Sequence, residues 1–180
     1  MSRSPHQPKT TNPRATARLQ PSLLDRLTDN EPHSDVESAN RRAMSRAELR
    51  QSVLRDLAWL LNTANGETDQ TLHQYPHAIR SVVNFGMRPL SGLRVSEIDW
   101  TVLEQNMCRA ILDFEPRILK DTLQVSALAT DDLINHHNVL AFQIRCQLWA
   151  QPYPLELLLR TNLDLESGEM LVQDQSVSGT

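Results

Sequence analysis

"ILDFEPRILKDTLQVSALAT" runs from Ile111 to Thr130 and contains the point where the chain changes its hydrophobic period. Up to Phe114 the apolar residues recur at helical spacing: Ile98, Leu103, Met107, Ala110, Ile111 and Phe114 mark one side of a helix. Pro116 lacks an N–H and restricts the residue before it, so the helix stops there. Beyond it, Leu123, Val125 and Ala127 alternate with polar neighbours, the period of a strand. The switch leaves Asp113, Glu115 and Arg117 at the junction between two kinds of structure.

The alternation continues downstream. In "VLAFQIRCQLWA", Val139 to Ala150, one face carries Leu140, Phe142, Ile144, Cys146 and Leu148, and the other Ala141, Gln143, Arg145, Gln147 and Trp149. Leu155 to Leu165 repeats the pattern, with Leu155, Leu157, Leu159, Leu163 and Leu165 inward. "ESGE" reads as a turn and "MLVQ" as a short closing strand. "TDDLINHHN" is rich in turn residues.

Upstream the period is helical. "SRAE" at Ser45 to Glu48 is a capping box, and Leu49, Val53, Leu57, Leu60 and Leu61 follow at helical spacing, with Gly66 expected to close the helix. Pro76 opens a short helix that Gly86 closes, and Ser96 is expected to cap the helix that runs to Pro116, with Glu97 and Asp99 in its first turn. Helices first and strands second predict an α+β fold: N-terminal helices on one face of a small antiparallel sheet of three to four strands.

Residues 1–20 carry Arg3, Lys9, Arg14 and Arg18 with no acid and little apolar content, the composition of a disordered segment. Leu23, Leu24 and Leu27 in "PSLLDRL" would share one side of a short helix over about 21–28, ahead of the polar stretch "NEPHSDVESANRRA". Burying three leucines contributes roughly 4 to 8 kcal/mol, and ordering about eight residues costs a similar amount. Folding back on the domain and anchoring to a partner therefore both remain open for it. The expected organisation is a flexible 1–40 with this anchor helix, an α+β domain over 41–175, and a flexible 176–180.

The 180 residues are 39% apolar and 22% charged, enough for a real core, and the net charge of −4 argues against a general nucleic-acid binder. No apolar run approaches the ~20 residues of a membrane span, and the N-terminus lacks the apolar region of a secretory signal. Cys108 and Cys146 sit in apolar-periodic segments and read as buried free thiols of a reducing compartment. The sequence points to a cytoplasmic protein.

Motifs for chemistry are sparse. No Gly-rich phosphate loop is present. His73 and His77 have the spacing of a helical zinc pair, but Pro76 interrupts it and no glutamate adjoins it, so no metal and no cofactor are expected. His136 and His137 fall in the turn-rich stretch. Glycoside hydrolysis needs two carboxylates facing across a cleft. Its candidates are Glu104, Asp113 and Glu115, but the last two would diverge at a helix end, and aromatic residues are only 4% of the chain. No catalytic residue is assigned. Glu115 and Arg117 suit an ionic role instead, because guanidinium matches carboxylate bidentately. They form either a structural clasp within the chain or a contact for a partner.

"PSLLDRL", "SVLRDLAWLLNT", "SVVNFG" and "FEPR" occur in that order. Together they resemble the TssE family of type VI secretion baseplate subunits, which is similar to the gene-25-like wedge protein of contractile phage baseplates. The resemblance covers roughly Leu19 to Asp174. It implies a sheath-like fold, a place in the wedge beside TssF and TssG, contact with the first ring of the TssB–TssC sheath, and a cytoplasmic site at the inner-membrane complex without insertion in the membrane. The family's Glu-Pro-Arg motif falls on Glu115, Pro116 and Arg117 and implies docking on the helical bundle of the wedge partners. "SLLDRL" at Ser22 to Leu27 also matches the family, and Leu23, Leu24 and Leu27 are expected to be partner contacts beside Glu115, Pro116 and Arg117. The family also carries an old lysozyme label, which implies the alternative of a muramidase-type hydrolase. An antiparallel sheet with an open edge would suit sheath templating, since it can accept a neighbour's strand.

Overall fold

A computed structural model describes residues 21–28, 33, 44–66, 72–90, 98–128 and 139–175. The basic segment 1–20, most of the polar linker, Ser96 and Glu97, the His136–His137 turn and the tail 176–180 lie outside the described residues.

Among the described residues four helices precede four strands: α1 Leu23–Leu27, α2 Arg46–Asn62, α3 Pro76–Ile79, α4 Trp100–Phe114, β1 Gln124–Leu128, β2 Val139–Leu148, β3 Leu155–Asp164 and β4 Met170–Asp174. The strands form one sheet in the order β1-β2-β3-β4, antiparallel throughout. The α+β expectation holds, with four strands. Leu140, Phe142, Ile144 and Leu148 of β2 and Leu157 and Leu159 of β3 are fully buried, and they meet Val53 and Leu57 of α2 and Met107 and Ile111 of α4. A sheet with one apolar face and two helices with apolar stripes leave few other ways to remove those surfaces from water.

Helix ends follow local chemistry. Ser45 accepts from the Glu48 N–H at 3.2 Å, and the Ser45 N–H donates to the Glu48 carboxylate at 2.6 Å. That backbone hydrogen bond holds Glu48 below its ordinary pKa. The second long helix, α4, begins later than expected. Asp99 is its cap, accepting from the N–H groups of Thr101 and Val102 at 2.9 and 3.2 Å, and Ile98 packs on the core from outside the helix. Gly66 does not close α2 either. The helix ends at Asn62, and the Thr63 carbonyl accepts from the Met87 N–H at 2.8 Å. Gly86 permits this approach: its φ is +119°, and a Cβ there would lie 2.2 Å from the Thr63 oxygen.

Both sheet edges are bordered by helices. On β4, the Asn62 side chain accepts from the Met170 N–H and donates to the Met170 carbonyl, each at 2.8 Å. Arg50 holds Asp174 at the other end of that strand at 3.3 Å. On β1, the Glu104 carboxylate accepts from the Ala127 N–H at 2.6 Å, and the Val125 backbone hydrogen-bonds the half-buried Cys108 thiol. Burial raises the Cys108 pKa.

One inward position interrupts the leucines of β3. Thr161 is fully buried between Leu159 and Leu163, and its hydroxyl has no hydrogen-bond partner among the described residues. Valine has the same shape without the unpaired polar atom. Thr161→Val is expected to raise stability by about 1 to 2 kcal/mol in chemical denaturation. A loss of stability would show that the hydroxyl is satisfied.

Candidate functional site

Helix α4 ends at Phe114 and is capped by Glu115, whose N–H still reaches the Ile111 carbonyl at 2.8 Å. Pro116 follows and the chain turns. The exit from the turn is sewn to the end of β2: Trp149 donates to the Arg117 carbonyl at 2.7 Å, and Leu119 donates to that of Gln147 at 2.8 Å. Glu115 is therefore fixed from both sides, and it is only 4% exposed. Its carboxylate accepts from the Arg117 N–H at 3.0 Å and from the Arg117 side chain through Nε at 2.7 Å and Nη2 at 2.5 Å.

The remaining donors of Arg117 reach α2. Nη2 meets Asp56 at 2.5 Å and Nη1 meets the Ser52 hydroxyl at 2.9 Å. Ser52, Arg55, Asp56 and Trp59 recur at the three- and four-residue spacing that puts them on one side of α2. Arg55 bonds Asp56 at 2.9 Å and stacks over the Trp59 ring at 5.3 Å.

α1 closes the network. Ser22 caps it, and Asp25 completes the capping box. Asp25 then reaches beyond its own helix. It accepts from the Ser52 hydroxyl at 2.8 Å and from Arg55 at 2.6 Å. Ser52 is 4% exposed and uses its full capacity: it donates to Asp25 and accepts from Arg117 and, at 3.3 Å, from Arg55. The result is one continuous network, Glu115–Arg117–Ser52–Asp25, braced by Arg55 and Asp56.

Burial alone would raise the Asp25 pKa, but hydrogen bonds from Ser22, Arg55 and Ser52 outweigh it and hold the carboxyl well below the usual range. Burial likewise opposes the charge on Arg117, and Glu115 and Asp56 reverse that, so its pKa is raised. Cys146 is 2% exposed, and burial, with the Glu115 charge beside it, pushes its thiol up to about 12. It is a neutral core residue.

The structural clasp weighed above is present, and it also reaches the short helix. Among the described residues Leu23, Leu24 and Leu27 stay outside the core cluster, and they are 71%, 42% and 74% exposed. α1 is held by its polar side, with its apolar side outward. Sequence reading passed over Ser52, Asp56, Arg55 and Asp25. One signal was available: Ser52 lies between Leu49 and Val53, inside the arc of α2 that must be buried. The hydrolase candidates are dispersed. Glu104 caps β1, Asp113 pairs with Arg80 at 2.8 Å, and Glu115 is buried with Arg117. His77 is exposed, and no cluster of metal-binding side chains occurs among the described residues.

A family profile described as Baseplate wedge protein gp25 matches residues 47–153, more than half of the chain. The chain belongs to the baseplate wedge protein gp25 family. No curated protein and no solved structure matches it. The match takes in α2, the Glu-Pro-Arg turn and the first two strands. Proteins of this baseplate wedge type are structural. No described helix is long and apolar enough to cross a membrane.

Two outcomes follow from the clasp. Arg117→Met strands the Glu115 carboxylate in a buried site and should cost about 3 kcal/mol in denaturation of the isolated protein. Adding Glu115→Leu should restore part of that loss. A single variant as stable as the wild type would show that Glu115 is solvated. The second concerns pH. Because the Asp25 pKa is lower when α1 is docked, its contribution is fully present above the free value of 3.8 and is lost as pH falls through the docked value. NMR shifts of residues 23–27 should stay helical from neutral pH down to about 3.8 and move toward coil as the pH falls further. Release of α1 at neutral pH would contradict this assignment.

Proposed function

We propose that this protein is the TssE-type wedge subunit of a type VI secretion baseplate, that it docks on the helical bundle of TssF and TssG, and that it helps to start the TssB–TssC sheath in the cytoplasm. Family membership supports a baseplate role. The observation that carries the docking reading is the outward leucine stripe of α1, held by the same network as the Glu-Pro-Arg turn. A helical bundle presents grooves between apolar ridges, and a short helix with three exposed leucines fits such a groove. Pro116 is exposed and Arg117 retains 24% side-chain exposure, so both can touch the bundle. Glu115 contributes by fixing the direction of Arg117.

Each leucine buried against a partner contributes about 1.5 to 3 kcal/mol, and the clasp has already ordered the helix that bears them. Leu23→Asp with Leu27→Asp should therefore leave the melting temperature of the free protein almost unchanged and lower co-purification with TssF and TssG at least tenfold. Undiminished co-purification would remove α1 from the interface.

A further inference from the structure

A cleft of about 480 Å³ opens between the segment around α3 and the outer side of α4. Its apolar lining includes Met87 and Phe114, and three arginines line it: Arg80, Arg88 and Arg109. Among the described residues, the only acidic one in the lining is Asp113. It is already bonded to Arg80, through Nε at 3.1 Å and Nη2 at 2.8 Å. Arg80 keeps 74% of its side chain exposed. Arg88 and Arg109 are exposed and have no ion pair or hydrogen bond among the described residues. In a chain with a net charge of −4, the described residues gather three guanidinium groups against one carboxylate at a single cleft. The turn that supplies Asn84 to the lining also carries Val82 and Val83, which are 82% and 77% exposed.

We infer that this cleft is a second docking site, taking an acidic segment of a partner protein that inserts an apolar side chain over Met87 and Phe114 and sets its carboxylates on Arg88 and Arg109. Charge complementarity selects the occupant. Guanidinium groups match carboxylates in fork geometry, and those of Arg88 and Arg109 have no partner among the described residues. The apolar lining adds what a free inorganic anion cannot use, the cleft is far larger than one such anion, and Val82 and Val83 lie on the adjoining turn outside the lining. The site shares no residue with the Glu115–Arg117–Asp25 network, so it stands independently of the docking reading above.

The test uses the full chain and a fluorescent hexapeptide, Glu-Asp-Leu-Phe-Asp-Glu, read by anisotropy. Saturable binding is expected at up to millimolar concentration, with amide shifts confined to residues around Val83, Arg88 and Arg109. Arg88→Glu with Arg109→Glu should weaken it at least tenfold while the melting temperature stays unchanged. Val82→Ser with Val83→Ser should weaken it by a smaller factor. A control peptide with glycines replacing Leu and Phe should bind at least tenfold more weakly. Three results would overturn the proposal: no saturable binding, equal binding of the glycine control, or full competition by inorganic phosphate at equal concentration. The last two would reveal a simple anion site. Leu23→Asp with Leu27→Asp should leave peptide binding untouched, which separates this site from the α1 surface.

Discussion

A buried carboxylate needs its countercharge, and in this chain that requirement organises three segments. Glu115 is placed at the end of α4 by a proline and is removed from water by the sheet behind it. Only Arg117 can reach it from the same turn, and the guanidinium has donors left over. Those donors draw in Ser52 and Asp56, which sets the rotation of α2 about its axis. The Ser52 hydroxyl still has a hydrogen bond to donate, and the Asp25 carboxylate accepts it. A buried pair of this kind is weak evidence for net stability. Its effect is geometric: each partner has a fixed direction, so α1, α2 and the turn have one relative arrangement instead of several.

The fold was legible because its signals are periodic. The change at Pro116 separates helix from strand, and Leu140 to Leu148 alternate cleanly enough to assign a face. The helix starts were less legible. Ser96 and Asp99 are both good caps, and three residues is less than one turn, so hydrophobic spacing does not choose between them. Gly66 looked like a stop signal, whereas α2 ends earlier because the Thr63 carbonyl is drawn to Met87, a contact between segments more than twenty residues apart.

The candidate site was half legible. Glu115 and Arg117 stand out because charges at a helix–strand junction are unusual. Ser52 and Asp25 do not, since a serine in an amphipathic helix and an aspartate in a first turn have ordinary local explanations. In α1 the leucines attract the eye, yet the attachment is made by the residue between them. Apolar pattern shows which side of a helix seeks burial, but not whether this chain or another supplies the cover.

The sheet edges carry a consequence for polymerisation. A bare edge strand is a template on which any extended chain can nucleate. Here the outward amide groups of Met170 and Ala127 are occupied by Asn62 and Glu104. An incoming strand must break side-chain hydrogen bonds, each contributing about 1 kcal/mol, before it gains its first main-chain pair. Two molecules meeting at random offer each other capped edges, so self-seeding meets a threshold at both ends of the sheet. A strand delivered in register, with several main-chain bonds ready to form together, recovers that cost within its first few pairs. The caps therefore raise the threshold for adventitious pairing more than for a strand that arrives in register.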